Sequence, residues 1–145
     1  MLTMLKISEG ASLALHTAFL LVTNRERRLT TKEMASTMSA SEAHLSKVLQ
    51  RLVHAGLVES VRGPKGGFAL AKDPRAVTLL TVFEVIDGVL TPESCLLDRC
   101  VCGGRQCILG DLIETVNGLA RRRLEETTLA DIAANRRVNG RKAVA

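Results

Sequence analysis

The chain has 145 residues, 46% of them hydrophobic and 24% charged, with 20 Lys and Arg against 15 Asp and Glu and a net charge of +5. A chain of this size buries roughly 68% of its unfolded surface, enough for one domain, or one domain with an appendage, to fold without disulfides. Aromatic residues make up only 2%, namely Phe19, Phe68 and Phe83, which excludes the stacking platforms used to read single-stranded nucleic acid.

The apolar opening stretch is interrupted by Glu9 and His16 and reaches Arg25 without a small-residue cleavage signal, so no signal peptide is expected. No window approaches the roughly 20 apolar residues that span a bilayer. No membrane partner is expected, and the expected location is the cytoplasm, where thiols stay reduced and the four cysteines need a purpose other than structural disulfides. Charge is unevenly placed: residues 1–80 carry 11 basic and 6 acidic side chains, whereas residues 81–134 carry 5 and 9. A basic first half points to a polyanionic partner; the bland alternative is a solvated basic surface.

From Ser8 to Val22, Ala11, Ala14, Leu15, Ala18, Leu21 and Val22 recur at helical spacing, with Ser8 as N-cap and Glu9 complementing the positive helix end. Thr30 and Glu33 have the form of a capping box, which predicts a short helix over Thr31 to Met38. A third helix, Ser41 to His54, puts Leu45, Val48, Leu49, Leu52 and Val53 on one face; its cap is Ser39 or Ser41, and Gly56 stops it. The apolar runs Leu57 to Arg62 and Phe68 to Ala71 flank Gly63-Pro64-Lys65-Gly66-Gly67 and read as a hairpin. Three helices and a hairpin follow the order of a winged helix-turn-helix.

Thr78 to Asp87 predicts a fourth helix stopped by Gly88, followed by a loop that holds every cysteine between Cys95 and Cys107. Leu109, Leu112, Ile113, Val116, Leu119, Ala120 and Leu124 then form one apolar stripe on a long helix, and Thr128 to Ala134 adds a turn or two. The expected fold is therefore mainly α with a small β-hairpin wing. It divides into a winged helix-turn-helix domain over 1–80, a connecting helix and cysteine-rich loop over 81–107, a dimerisation helix and C-terminal segment over 108–134, and a basic disordered tail over 135–145.

In a helix-turn-helix the second helix of the pair enters the major groove while the first crosses the backbone. Glu42, His44, Ser46 and Lys47 are then the candidate base readers, Gln50 and Arg51 face phosphate, and Thr31 and Ser41, at the starts of the two helices, are further DNA-binding candidates. Arg62 and Lys65 of the wing reach an adjacent minor groove or phosphates. The same side chains are also compatible with a solvated surface.

Four thiols within Cys95-Leu96-Leu97-Asp98-Arg99-Cys100-Val101-Cys102-Gly103-Gly104-Arg105-Gln106-Cys107 are too dense for core filling. Soft thiolates select zinc, copper(I) or iron-sulfur clusters. The paired Cys-x-x-Cys knuckles common in structural zinc sites are missing, which weakens zinc without excluding it. A thiol redox switch and inert thiols are the remaining readings.

The run Leu57 to Ala71 with its Arg62-Gly63-Pro64-Lys65-Gly66-Gly67-Phe68 wing, Ile7-Ser8-Glu9 upstream and Thr128-Leu129-Ala130-Asp131-Ile132 downstream resembles the IscR/NsrR (Rrf-type) winged-helix regulators over about residues 4 to 134. The resemblance implies a homodimeric transcriptional regulator, in the expected case a repressor. It would bind double-stranded, partly palindromic operator DNA and pair through Leu109, Leu112, Ile113, Val116 and Leu119. It further implies an iron-sulfur cluster, 2Fe-2S or 4Fe-4S, that senses nitric oxide, redox or iron-sulfur status.

Similar regulators use three cysteines, which here are Cys95, Cys100 and Cys107 with Cys102 in excess, or Cys95, Cys102 and Cys107 with Cys100 in excess. The histidine that IscR-like members carry three residues past the last cysteine is replaced by Gly110, which disfavours that site. Glu9 stands where NsrR-like members place an acidic ligand from the partner subunit, although it equally suits a helix-dipole role; Cys102 would otherwise complete an all-thiolate site. The competing readings are a cluster-free regulator with a thiol switch and a zinc-binding winged-helix adaptor. An enzyme is not expected, because Gly63 to Gly67 is a hairpin turn rather than a phosphate loop and His16, His44 and His54 lack a nucleophile partner.

Overall fold

The central helix α1 (Glu9–Thr23) starts where Ser8 caps it, its Oγ accepting from the Ala11 N–H at 3.0 Å. Ala11, Leu13, Ala14, Thr17, Ala18, Leu21 and Val22 are all buried, so apolar side chains occupy most of its circumference and α1 takes neighbours on several sides. The computed structural model describes residues 7–90, 95, 97, 99, 101–103 and 107–139, without the side chains of 136–139.

After α1 come α2 (Thr31–Met38), α3 (Glu42–His54), strands β1 (Val58–Val61) and β2 (Gly67–Leu70), a 3-10 turn (Pro74–Ala76), α4 (Leu79–Asp87), α5 (Leu112–Glu126) and α6 (Leu129–Asn139). Helices α3, α4 and α6 all pack on α1. The strands pair antiparallel in the register Val58 to Leu70 and Val61 to Gly67. Leu29 adds one further rung, exchanging hydrogen bonds with Phe68 at 3.1 and 2.8 Å, which ties the wing to the start of the helix-turn-helix. A single bridging residue has no alternating pattern, so sequence periodicity does not reveal it.

Two sequence readings change. Gly110 adopts φ 59 and turns the backbone out of the helix between Leu109 and Leu112, so α5 begins at Leu112 and Leu109 lies in the turn before it. Helix α6 continues past Ala134 to Asn139, because Asn135 to Asn139 contain no Pro or Gly; the expected disorder from residue 135 is corrected to this point, and 140–145 lie outside the described residues. The C-terminal segment also returns to the N-terminal core. The Leu129 N–H donates to Val77 O and the Leu79 N–H to Thr127 O, both at 2.9 Å, and the Leu129 side chain is 0% exposed among the core residues.

Thr17 is fully buried and its hydroxyl lacks a hydrogen-bond partner among the described residues. An unpaired buried hydroxyl carries a desolvation cost, so Thr17→Val, of nearly equal volume, is expected to raise stability by about 1 kcal/mol. A higher urea midpoint at unchanged m-value checks this.

Candidate nucleic-acid interface and cysteine loop

The turn between α2 and α3 is built by caps. Thr30 Oγ1 accepts from the Glu33 N–H at 3.2 Å and the Thr30 N–H donates to Glu33 Oε2 at 2.8 Å, completing the capping box. Ser39 takes φ 52, the left-handed conformation that ends α2, and so Ser41 caps α3 by accepting from the His44 N–H at 3.3 Å. The Thr30 N–H, then Arg27 at 2.8 Å, then the Thr30 hydroxyl pull the Glu33 carboxyl from 4.5 down to about 2. A depressed carboxylate stabilises the fold fully above its unfolded pKa and loses that effect as pH falls through the folded one. Thermal melts are therefore expected to fall between pH 4.5 and 2, and Glu33→Gln to flatten that part of the profile.

Leu45, Val48, Leu49 and Leu52 bury one face of α3. The opposite face presents Ala43, Lys47, Gln50, Arg51 and His54 to solvent, with Ser46 half-buried beside them. Lys47, Gln50, Arg51 and His54 line one open cleft with Ala55 and with Val85 of α4. His54 was not among the sequence candidates, although its seven-residue spacing from Lys47 places it on the same helix face. Among those candidates Glu42 is exposed at the flank, the Ser41 hydroxyl caps α3, and Thr31 is half-buried in the first turn of α2. His44 turns aside, with Nδ1 3.6 Å from Glu9 Oε1 at the start of α1.

Arg62 and Lys65 stand exposed on the wing. Its tight turn requires glycine: a Cβ on Gly66 would lie 2.2 Å from Val61 O, and Gly67 has φ 136 with Leu29 O 2.8 Å from where a Cβ would be. The wing thus holds two cations on a backbone that has no room for larger side chains at its base.

Beyond α4, Leu90 is held from both sides, its N–H donating to Glu84 Oε1 at 3.2 Å and its carbonyl accepting from Arg121 Nη1 at 2.6 Å. Cys95 and Cys107 carry free thiols and, like Cys102, are half-buried; Cys100 lies outside the described residues. Among the described residues, no three His, Cys, Asp or Glu side chains come together closely enough to hold a metal. Gly110, three residues past Cys107, offers no side chain to a ligand. Glu9 is 81% exposed, so its carboxylate is open to a ligand from outside the chain.

Helix α5 packs against α4 yet has no buried residue. Leu112 is 42% and Leu119 62% exposed, while Leu109, Ile113 and Val116 are half-buried. One chain alone therefore leaves the stripe only partly covered.

Residues 7–135 match the family model of Rrf2, described as an iron-dependent transcriptional regulator. The chain belongs to the Rrf2 family. Among curated relatives, NsrR of Geobacillus kaustophilus is 31% identical over 124 residues, covering 81% of this chain and 82% of that one. The solved structure of CymR, the global cysteine regulator of B. subtilis, superposes with a TM-score of 0.75 at 30% identity over 91% of this chain and 98% of that one. IscR of T. potens gives a TM-score of 0.69 at 28% identity over 91% and 88%. As an Rrf2 protein the chain is a DNA-binding transcriptional regulator with a mainly helical winged fold, and its relatives are regulators rather than enzymes. No helix among the described residues of this Rrf2 chain is long and apolar enough to cross a membrane.

Proposed function

We propose that the chain is a homodimeric repressor whose affinity for operator DNA is set by an iron-sulfur cluster in the loop between α4 and α5. The observation that carries this reading is four thiols within residues 95–107 of a chain whose family description is iron-dependent. The donor chemistry fits, since thiolate sulfur is the ligand such clusters take and Cys95, Cys102 and Cys107 are half-buried rather than sealed in the core. Cys95, Cys107 and one of Cys100 and Cys102 would hold the group, with Glu9 of the partner subunit or the remaining thiol completing the set. When bound, the cluster supplies a cross-link across the loop that nitric oxide or oxidants can dismantle.

The chain's own residues do the rest. Lys47, Gln50, Arg51 and His54 on α3 face the groove, while Arg62 and Lys65 secure the register through phosphate or the minor groove. Leu112, Ile113, Val116 and Leu119, with Leu109 at the edge, pack against their symmetry mates and fix the separation of the two reading helices. Leu90, anchored to Glu84 and Arg121, is where loop and dimer helix meet, so a change in the loop bears on that separation.

Likeness to CymR, the global cysteine regulator of B. subtilis, favours a second reading in which the loop binds no cluster and its thiols respond to redox state directly. Anaerobic purification with iron and sulfide counts and a visible spectrum separates the two. A coloured protein carrying both elements, bleached by Cys95→Ala or Cys107→Ala, is the expected result; a colourless, iron-free protein would leave only the thiol reading.

A further inference from the structure

We propose that Asp87, at the root of the cysteine loop, is a positioning residue for α3 and acts through the N-terminus of α1. The proposal rests on α3 being the DNA reader. Asp87 is the last residue of α4, and its carboxylate accepts twice from Ser8: Oδ1 from the hydroxyl and Oδ2 from the backbone N–H at 3.4 Å. The Ser8 hydroxyl is fixed from its other side as well, since its oxygen takes the Ala11 N–H. Ser8 therefore cannot turn without giving up either the cap of α1 or its tie to α4.

The next two residues carry the connection onward. Glu9 lies 3.6 Å from His44 Nδ1, a contact longer than a hydrogen bond and easily released. Gly10 lets α1 slip between its neighbours: a Cβ there would sit 3.1 Å from Ile86 Cγ2 and 4.0 Å from His44 Nε2. His44 itself belongs to the first turn of α3, where its N–H meets the Ser41 cap. A chain of contacts therefore runs from Asp87 through Ser8 and Glu9 to His44. At its far end Asp87 leads through Gly88 and Val89 to Leu90, the residue that α5 grips through Arg121. This surface route from the loop root to the first turn of the reading helix runs beside the direct packing of α1, α3 and α4.

These groups are exposed, so the effect is on fine placement rather than on folding. The test uses the full chain, reduced and free of cluster, with a duplex that the wild type selects from a random-sequence library and a scrambled duplex of the same composition. Asp87→Ala is expected to reduce the preference for the selected duplex roughly threefold to tenfold. The salt dependence should stay unchanged, and the His44 ring resonances should shift. Asp87→Ala combined with His44→Ala should lose no more than His44→Ala alone. Asp87→Asn, which keeps one acceptor oxygen, should fall between and serves if the alanine variant melts early. Full discrimination by Asp87→Ala with an unmoved His44 spectrum, or independent additive losses, would overturn the inference alone. A wild type that prefers no duplex would remove the reading role of α3 and the inference with it.

Discussion

Replacing Val116 and Leu119 by aspartate is expected to convert the protein into folded monomers and to weaken operator binding by about 10²- to 10⁴-fold, the loss that follows when two linked contacts become one. Leu119 is 62% exposed and Val116, though half-buried, lies outside the main core cluster, so helical circular dichroism should hold. In a symmetric pair they would meet their own copies, placing carboxylates in an apolar seam where each unpaired charge costs several kcal/mol. Light scattering and anisotropy on the same samples check both halves. A variant that remains dimeric would move the interface away from α5.

Leu129→Ala is expected to cost about 3 kcal/mol, within the usual range for emptying a fully buried leucine site. For a domain of this size that corresponds to a drop of roughly 10 °C in Tm. Leu129 is 0% exposed and sits where α6 closes onto α1, flanked by the backbone bonds from Leu129 to Val77 and from Leu79 to Thr127. The loss should appear in the cooperative unfolding of the whole winged domain, because α6 shares its core. A separate early transition, or a loss below about 0.5 kcal/mol, would mean that α6 is an independent appendage.

The sequence alone made the winged domain legible because its signals are local. Thr30 with Glu33, Ser41 before α3 and the glycines at the wing each fix a backbone position by their own chemistry, and the structure uses each of them as that chemistry requires. The long helix was legible as an apolar stripe, but its start was not. A stripe counts side chains, and Gly110 breaks the backbone while leaving the apolar spacing almost intact.

The site was legible in part. Lys47, Arg51, Arg62 and Lys65 project into solvent as their spacing requires, whereas His44 lies 3.6 Å from Glu9, a proximity between residues far apart in the chain that no local pattern encodes. The return of Leu129 to the core and the rung made by Leu29 were hidden for the same reason. Each depends on tertiary packing rather than on a run of residues.

The proposed regulation is tested most directly by comparing operator affinity of the protein with its loop loaded and stripped, both kept anaerobic at one salt concentration, by fluorescence anisotropy. A difference of about 5- to 150-fold, the usual span of coupling between distinct sites, is the predicted result. Equal dissociation constants for the two forms would contradict it.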